Sequence, residues 1–359
     1  MTPQAATANG IRFTGLAHVL PSRQVTNEEV LDRVRERSAP FLSERELDEL
    51  TTATSAALRS AGTQVRYHRA EGERAYELCL RAGADALASS GLQPGDIDLL
   101  IYVGVGRGFL EPATANVFQD LLGLENATCF DILDACASWI RAVDIARSML
   151  RGGRYRNAMI LNAEFMGRDA HRYELKAVSE FAHWFPGVTI GEAATATVLT
   201  ASDVDDSFEA SFRNWGSKRG LCLLPLPNLA EYLGQPAYQD HEPRPLEFTS
   251  FGGPLLLFGA AKLAGHYNQS PAFNQARYDC IFGHAASNAM CENVAALCSI
   301  DLARFHFTHH LYGNTVSASV PLAMSLARAS GSLRDGASVL ILVASAGVST
   351  ALARFTFRS

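Results

Sequence analysis

The chain has 359 residues, of which 48% are hydrophobic, and its 31 basic and 37 acidic side chains give a formal charge of −6. This length and hydrophobic content are sufficient for two packed domains or one large layered α/β unit. No Lys- and Arg-rich run indicates a nucleic-acid partner, and neither a signal-like N-terminus nor an apolar run long enough to cross a bilayer is present. We therefore expect a cytoplasmic protein that binds neither nucleic acid nor membrane.

The first half of the chain alternates helices and apolar strand-like runs. Helices are predicted at residues 27–37, where Asn27 can cap, at 43–60, where Ser43 and Glu46 form a capping box, and at 71–90. Short apolar runs at residues 97–105 and 157–162 predict buried strands, and the helical spacing of apolar residues at 137–150 predicts a helix between them.

The second half shows the same alternation. Strands are predicted at residues 278–282 and 338–344, and helices at 287–297 and 316–329. The Pro-rich stretch at residues 224–245 predicts a long surface excursion between the halves. The pattern predicts an α/β fold with a mainly parallel sheet, divided into an N-terminal half at residues 1–200 and a C-terminal half at 201–359.

Cys136 is the first candidate for chemistry. The seven cysteines are odd in number and lack CxxC spacing, so they predict neither a disulfide framework nor a zinc site. Cys136 stands where the strand-like run FDIL passes into the helix at 137–150, and a helix N-terminus favours the nucleophilic thiolate. The alternative is a cysteine that is simply packed in the core, as most cysteines in apolar proteins are.

His284 and Asn314 complete a possible acyl-transfer set. His284 follows the predicted strand at 278–282, and Asn314 precedes the predicted helix at 316–329, where an Asn also serves as an ordinary turn or cap residue. A thiol, an imidazole and an amide at element boundaries suit acyl thioester chemistry. The histidines at 306, 309 and 310 lack further ligands nearby, so no metal site is predicted.

The motifs around these residues resemble the β-ketoacyl-ACP synthase III family across nearly the whole chain. The matching runs are DACASW, RGGRYRNAMILNAE, FGHAASN and YGNTVSASVPLA. The resemblance implies a thiolase-like fold of two pseudo-repeated α/β halves in a layered αβαβα arrangement. It also implies a homodimer, without a cofactor, that acts on thioesters of acyl carrier protein or coenzyme A.

The same resemblance implies a role for particular residues. Cys136, His284 and Asn314 would be catalytic, and the backbone N–H groups of Cys136 and Gly347 would form the oxyanion hole. Trp139, Ser287 and Asn288 would bind substrate; the last two belong to the motif that follows His284. Glu111, in GFLEP, matches an acid of the head-to-head condensing enzymes of olefin biosynthesis, where it reaches the partner's cysteine and acts as a base. The alternative for Glu111 is a surface acid.

Departures from the family indicate a specialised fatty-acid, polyketide or antibiotic pathway. The motif after His284 lacks the usual cation, and Gly283 replaces the usual proline before it. The predicted reaction is condensation of an acyl-Cys136 thioester with a second acyl thioester to a β-ketoacyl product. Two alternatives remain: transfer of the acyl group to a hydroxyl, amine or carrier thiol, and an inactive partner subunit of a heterodimeric synthase.

Overall fold

The computed structural model describes residues 8–233 and 244–359. The strands of this part of the chain are β1 (Gly10–Val19), β2 (Arg23–Thr26), β3 (Val65–His68), β4 (Leu99–Val103), β5 (Thr128–Ile132), β6 (Asn157–Glu164), β7 (Ala193–Ser202), β8 (Glu209–Asn214), β9 (Cys222–Leu223), β10 (Thr249–Ser250), β11 (Cys280–Gly283), β12 (Ser338–Ser345) and β13 (Ser349–Thr356).

The α-helices of the same residues are α1 (Asn27–Ser38), α2 (Glu44–Ala61), α3 (Ala75–Ser90), α4 (Ala115–Leu121), α5 (Ser138–Arg151), α6 (Phe181–Trp184), α7 (Leu229–Leu233), α8 (Gly252–Asn268), α9 (Pro271–Asn274), α10 (Asn288–Cys298), α11 (His309–Tyr312) and α12 (Ser319–Ala329). Two short 3-10 turns, Ala135–Ala137 and Val316–Ala318, immediately precede α5 and α12.

Local sequence signals account for several helix ends. The predicted capping box is present: Ser43 accepts from the backbone N–H of Glu46, whose carboxylate accepts from the Ser43 N–H at 2.8 Å. The prediction that Asn27 caps α1 is wrong, because the side chain of Thr26 accepts from the Glu29 N–H instead. The helix predicted at 71–90 begins only at Ala75.

Two mixed sheets form the framework. One has the strand order β1-β7-β6-β4-β5 and the other β11-β12-β13-β8. Only the pairs β4–β5, β4–β6 and β11–β12 are parallel among the described residues, so the prediction of a mainly parallel sheet is wrong. β12 and β13 are joined by a three-residue turn, which permits only antiparallel pairing.

The sheets and helices stack in five layers, as predicted. Helices α5 and α12 lie between the two sheets, and their apolar residues form one core with the facing strands. Helix α3 covers the other face of the first sheet, and α8 and α10 cover the other face of the second. The strands of the first sheet lie within residues 10–202 and those of the second within 209–356.

The Pro-rich stretch at 224–245 lies between β9 and β10, which pair as a two-stranded ribbon. It includes α7, and residues 234–243 of the predicted surface excursion lie outside the described residues. The ribbon brings Cys222 and the segment around Ser250 to the wall of the site described below.

Candidate active site

Cys136 lies in the 3-10 turn between β5 and α5. The preceding Ala135 has a φ of 44°, in the left-handed region that residues with a Cβ rarely adopt. The turn is held by Ser138, whose Oγ accepts from the Asp134 N–H at 2.8 Å. This geometry directs the thiol towards the β12–β13 turn, where the backbone N–H of Ala346 donates to it.

Burial raises the pKa of the Cys136 thiol above its usual range, and the nearby Cys222 and Glu164 add to this effect. The N–H of Ala346 and the hydroxyl of Ser345 oppose it by hydrogen bonding to the sulfur. The sequence-based expectation of a favoured thiolate is therefore wrong for the resting site. Removal of water around the thiol outweighs the hydrogen bonds, so a neutral thiol is the stable form.

His284 directly follows β11 and is buried. Its Nδ1 lies 2.9 Å from the Ser319 Oγ, and Ser319 donates its own hydroxyl proton to the Val316 carbonyl. Since that hydroxyl has one proton, this hydrogen-bond network assigns the imidazole proton to Nδ1 and leaves Nε2 as an acceptor. Burial, reinforced by the neighbouring His309, lowers the pKa of His284 to about 4, so the ring is neutral at pH 7.

Asn314 is fixed by backbone contacts across the two halves. Its N–H donates to the Thr189 carbonyl at 2.8 Å, and its carbonyl accepts from the Gly191 N–H at 3.0 Å. A Cβ on Gly191 would lie 1.9 Å from the Tyr312 carbonyl oxygen, so only glycine permits this approach. The Asn314 Oδ1 accepts from the Val316 N–H at 3.0 Å, and its Nδ2 is therefore the group left to donate to a substrate.

Two largely apolar cavities meet at Cys136. The larger, of about 400 Å³, is also lined by His284, Asn314 and Ser287, and by the start of α8. The smaller, of about 230 Å³, extends from Cys136 towards Glu164 and Leu133. Residues common to both walls are Cys136, Cys222, Phe248, Val316 and Ala346. The thiol is thus accessible from two apolar compartments.

The three residues assigned to substrate binding lie in different surroundings. Ser287 lines the larger cavity, and its Oγ also caps α10 by accepting from the Met290 N–H at 3.0 Å. Asn288 begins α10 beside Gly62, away from the described walls of both cavities. Trp139 lies in the core between the sheets, where its Nε1 donates to Thr197 at 3.1 Å. Trp139 is therefore a core residue of α5, as its place in the helical apolar spacing indicates, and the prediction that it binds substrate is wrong.

The backbone amide beside the thiol is not the one predicted for the oxyanion hole. The amide beside the Cys136 thiol is that of Ala346, whereas Gly347, with a φ of 121°, forms the bend of the β12–β13 turn. The sequence motif points to Gly347 because it is a glycine, but the direction in which each backbone N–H points depends on the conformation of the turn. Glu111 is exposed in the loop after β4 and lies outside the walls of both cavities within one chain.

Comparison with known proteins identifies this architecture. Residues 130–216 match the family model of 3-oxoacyl-[acyl-carrier-protein] synthase III, and residues 270–356 match the model of its C-terminal part. The chain is 27% identical over 335 residues to β-ketoacyl-[acyl-carrier-protein] synthase III of Neisseria meningitidis, covering 92% of this chain and 94% of that protein. The corresponding protein of Neisseria gonorrhoeae is 26% identical over the same length.

The chain is similar over most of its length to 3-oxoacyl-ACP synthase III. Solved structures share its fold: OleA of Xanthomonas campestris, with a TM-score of 0.82, 21% identity and 98% coverage of both chains, and FabH of Xanthomonas oryzae, with a TM-score of 0.79, 21% identity and coverage of 98% of this chain and 100% of that chain. The predicted fold and the predicted enzyme class, an acyltransferase, are confirmed.

Several residues of this condensing-enzyme site were missed from the sequence. Ser319, Thr189 and Ala346 support His284, Asn314 and Cys136, but small residues such as these carry no distinctive pattern. Glu164 is different, because an acid at the end of the apolar run NAMILNAE is conspicuous. Within the described residues, no helix combines the length and apolar character that crossing a bilayer demands.

Proposed function

We propose that the enzyme forms an acyl thioester on Cys136 and condenses it with a second acyl thioester to give a β-ketoacyl product. The observation that carries this proposal is a thiol, a neutral imidazole and an amide donor in the wall of one apolar cavity, with a second apolar cavity that meets it at the thiol. A single apolar pocket would be enough to store one acyl chain, whereas condensation requires two carbonyl groups beside one sulfur.

In the loading step, the neutral thiol of Cys136 needs a base, and His284 Nε2 is an unprotonated acceptor in the same cavity. The sulfur attacks the acyl carbonyl as its proton passes to Nε2. The N–H groups of Cys136 and Ala346 would stabilise the oxyanion, and the proximity of the Ala346 N–H to the sulfur supports this role. The C–S bond to the carrier then breaks, and the leaving thiolate takes the proton from His284.

In the condensing step, the second thioester becomes a carbon nucleophile by losing carbon dioxide, or by giving an α-proton to a base, for which the Glu111 carboxylate is proposed below. The Nδ2 of Asn314 can donate to its enolate oxygen because Oδ1 is already occupied by the Val316 N–H. His284 donates there as well when Ser319 rotates its hydroxyl towards Nδ1 and the ring proton moves to Nε2. Attack on the acyl-enzyme releases the β-ketoacyl product and the Cys136 thiolate.

The carrier and pathway form the finer part of the proposal. The Neisseria relatives are named for acyl carrier protein, and one solved variant of Xanthomonas campestris OleA contains lauric acid and lauroyl-CoA. We propose acyl carrier protein or coenzyme A thioesters as substrates of a cytoplasmic enzyme in a specialised fatty-acid or polyketide pathway. The apolar lining of both cavities supports two hydrocarbon chains rather than polar acyl groups.

We further propose a homodimer in which Glu111 approaches the partner's site. Leu110 is 67% exposed beside Glu111, and Leu133, at the end of the smaller cavity, is 63% exposed. The two residues follow β4 and β5, which are paired in parallel, so their segments start from the same edge of the sheet. Exposed large apolar residues at one edge are typical of a surface covered by another chain. A carboxylate brought to this end of the smaller cavity would be near the α-carbon of a second acyl chain.

Acyl transfer without carbon–carbon bond formation is the second candidate function, and one observation favours it. The neutral imidazole of His284, in the same cavity as Cys136, provides the base that the loading step needs, and acyl transfer requires no activation of a carbon atom. Transfer to a hydroxyl or amine would need no donor to an enolate, however, and the free Nδ2 of Asn314 would then have no role.

Intact mass spectrometry with acyl thioesters tests the proposal. We expect one acyl group on the wild-type enzyme, none on Cys136→Ala, and an unchanged adduct on Cys222→Ala, the matched control cysteine in the wall of the same cavity. Addition of malonyl and saturated acyl thioesters should then give a β-ketoacyl product. An adduct that persists in Cys136→Ala refutes the assignment, and discharge to water or alcohols alone supports acyl transfer.

A further inference from the structure

Glu164, the last residue of β6, is a buried carboxylate at the active site. Its residue is 2% exposed, and its side chain lies in the wall of the smaller cavity that opens at Cys136. All the groups that donate to it belong to uncharged residues: the N–H groups of Val105 and Gly106, at 3.2 and 3.4 Å from Oε2, and the N–H and hydroxyl of Ser317 at Oε1. A buried charge held only by such donors is costly and needs a reason.

The hydrogen bonds of Glu164 connect β6 to the Val316–Ala318 turn and, through Val316, to Asn314. Ser317 is 153 positions away in sequence and follows Val316, a wall residue of both cavities. Val316 has a φ of 49° and donates its N–H to the Asn314 Oδ1 at 3.0 Å. A shift of Ser317 therefore moves the group that fixes the Asn314 amide.

A second side chain of β6 also holds Ser317. Asn162, two positions earlier on β6 and on the same face of the strand, donates its Nδ2 to the Ser317 Oγ at 3.0 Å. The 3-10 turn Val316–Ala318 is thus attached to β6 of the N-terminal half by two side chains, while Asn314 itself is attached to Thr189 and Gly191. The strained backbone of Val316 lies between these two attachments.

We propose that Glu164 is a positioning residue, which holds the Val316–Ala318 turn so that the Asn314 amide faces the second substrate. The inference rests on the condensing function proposed above. Glu164 acts through Ser317 and Val316 and takes no proton from the substrate. Its largest effect is therefore expected in the condensing step, where Asn314 acts. Loading is expected to change less, because the same turn reaches His284 only through the Val316 carbonyl and Ser319.

Two variants distinguish the effect of the position of Ser317 from the effect of the charge of Glu164. Glu164→Gln preserves shape but replaces one acceptor oxygen by a donor, and Ser317→Ala removes the hydroxyl while leaving the carboxylate. Both should reduce condensation about tenfold or more, since a hydrogen bond is lost in each, while loading changes less than about threefold. Ser325→Ala is the matched control, because this α12 serine bonds to His18, remote from the site.

The reactivity of the thiol provides a second readout. The charge of Glu164 contributes to the raised pKa of Cys136, so Glu164→Gln should increase the rate of iodoacetamide alkylation at a fixed alkaline pH. Ser317→Ala retains that charge and should leave this rate unchanged. A merely structural loss would instead slow alkylation, loading and condensation together in both variants.

Hydrogen exchange makes the test independent of turnover. The peptide covering Asn314–Ser319 should exchange faster in Glu164→Gln and Ser317→Ala than in the wild type or Ser325→Ala. Unchanged exchange with undiminished condensation in both variants overturns the positioning role. If the wild type loads Cys136 but does not condense, the proposed function fails, and faster exchange in the two variants still supports the attachment.

Discussion

The stability of the enzyme should depend on pH through Glu164. Burial raises the pKa of this carboxyl from 4.5 to about 7, and hydrogen bonds from Ser317, Gly106 and Val105 oppose the increase without cancelling it. In the unfolded chain the carboxyl loses its proton near its ordinary pKa. Between these two pKa values the folded state binds more protons than the unfolded state, so stability declines as pH rises.

The size of the effect follows from the two pKa values. Each pH unit between 4.5 and about 7 corresponds to about 1.4 kcal/mol, which gives about 3 kcal/mol in total. This contribution is fully present below pH 4.5 and is lost as pH rises through about 7. Glu164→Gln lacks the titration, so the wild type should lose about 3 kcal/mol relative to that variant over this range.

Urea unfolding of both proteins at a series of pH values from about 5 to about 8 measures this difference, because other titrating groups cancel between them. Infrared spectra provide a direct check, since the protonated carboxyl band of Glu164 should be present at pH 6 and absent in Glu164→Gln. A stability difference that is constant with pH, or that favours the wild type as pH rises, would refute the argument. A constant difference would mean that the hydrogen bonds cancel the effect of burial on the pKa, and a difference that favours the wild type would mean that they outweigh it.

Three further predictions concern the reaction. His284→Ala should slow both loading and condensation by about 100-fold or more, whereas Asn314→Ala should impair condensation alone, so that the acyl-enzyme on Cys136 accumulates. Single-turnover mass spectrometry measures both steps. If Asn314→Ala slows loading as much as His284→Ala does, the role of Asn314 is contradicted. Ser319→Ala should lower the turnover number about tenfold with little change in KM, because the imidazole loses its Nδ1 partner; a change in KM alone would count against it. Glu111→Gln should leave loading intact and strongly reduce condensation with saturated acyl acceptors. Condensation with malonyl acceptors should be unaffected, because they supply the enolate by losing carbon dioxide. Normal turnover of this variant with both kinds of acceptor would leave Glu111 a surface acid.

Local signals determined much of the fold. The capping box of Ser43 and Glu46, the apolar run of β6 and the helical spacing along α5 each depend on residues within a few positions, so the sequence alone predicts those elements. The ordered motifs around Cys136, His284 and Asn314 likewise predicted which three residues would meet in one cavity, and the structure places all three in its wall. The pairing direction of the strands was less accessible, because it depends on which strands become neighbours.

The chemistry of the site depended on tertiary contacts. The amide beside Cys136 belongs to Ala346 rather than Gly347, and the raised pKa of the thiol results from burial that no short motif encodes. Glu164 was visible as an acid ending an apolar strand, but its partner Ser317 lies 153 positions away. Periodicity and capping report contacts between neighbours in sequence, whereas desolvation and long-range hydrogen bonds arise only when the two halves pack together.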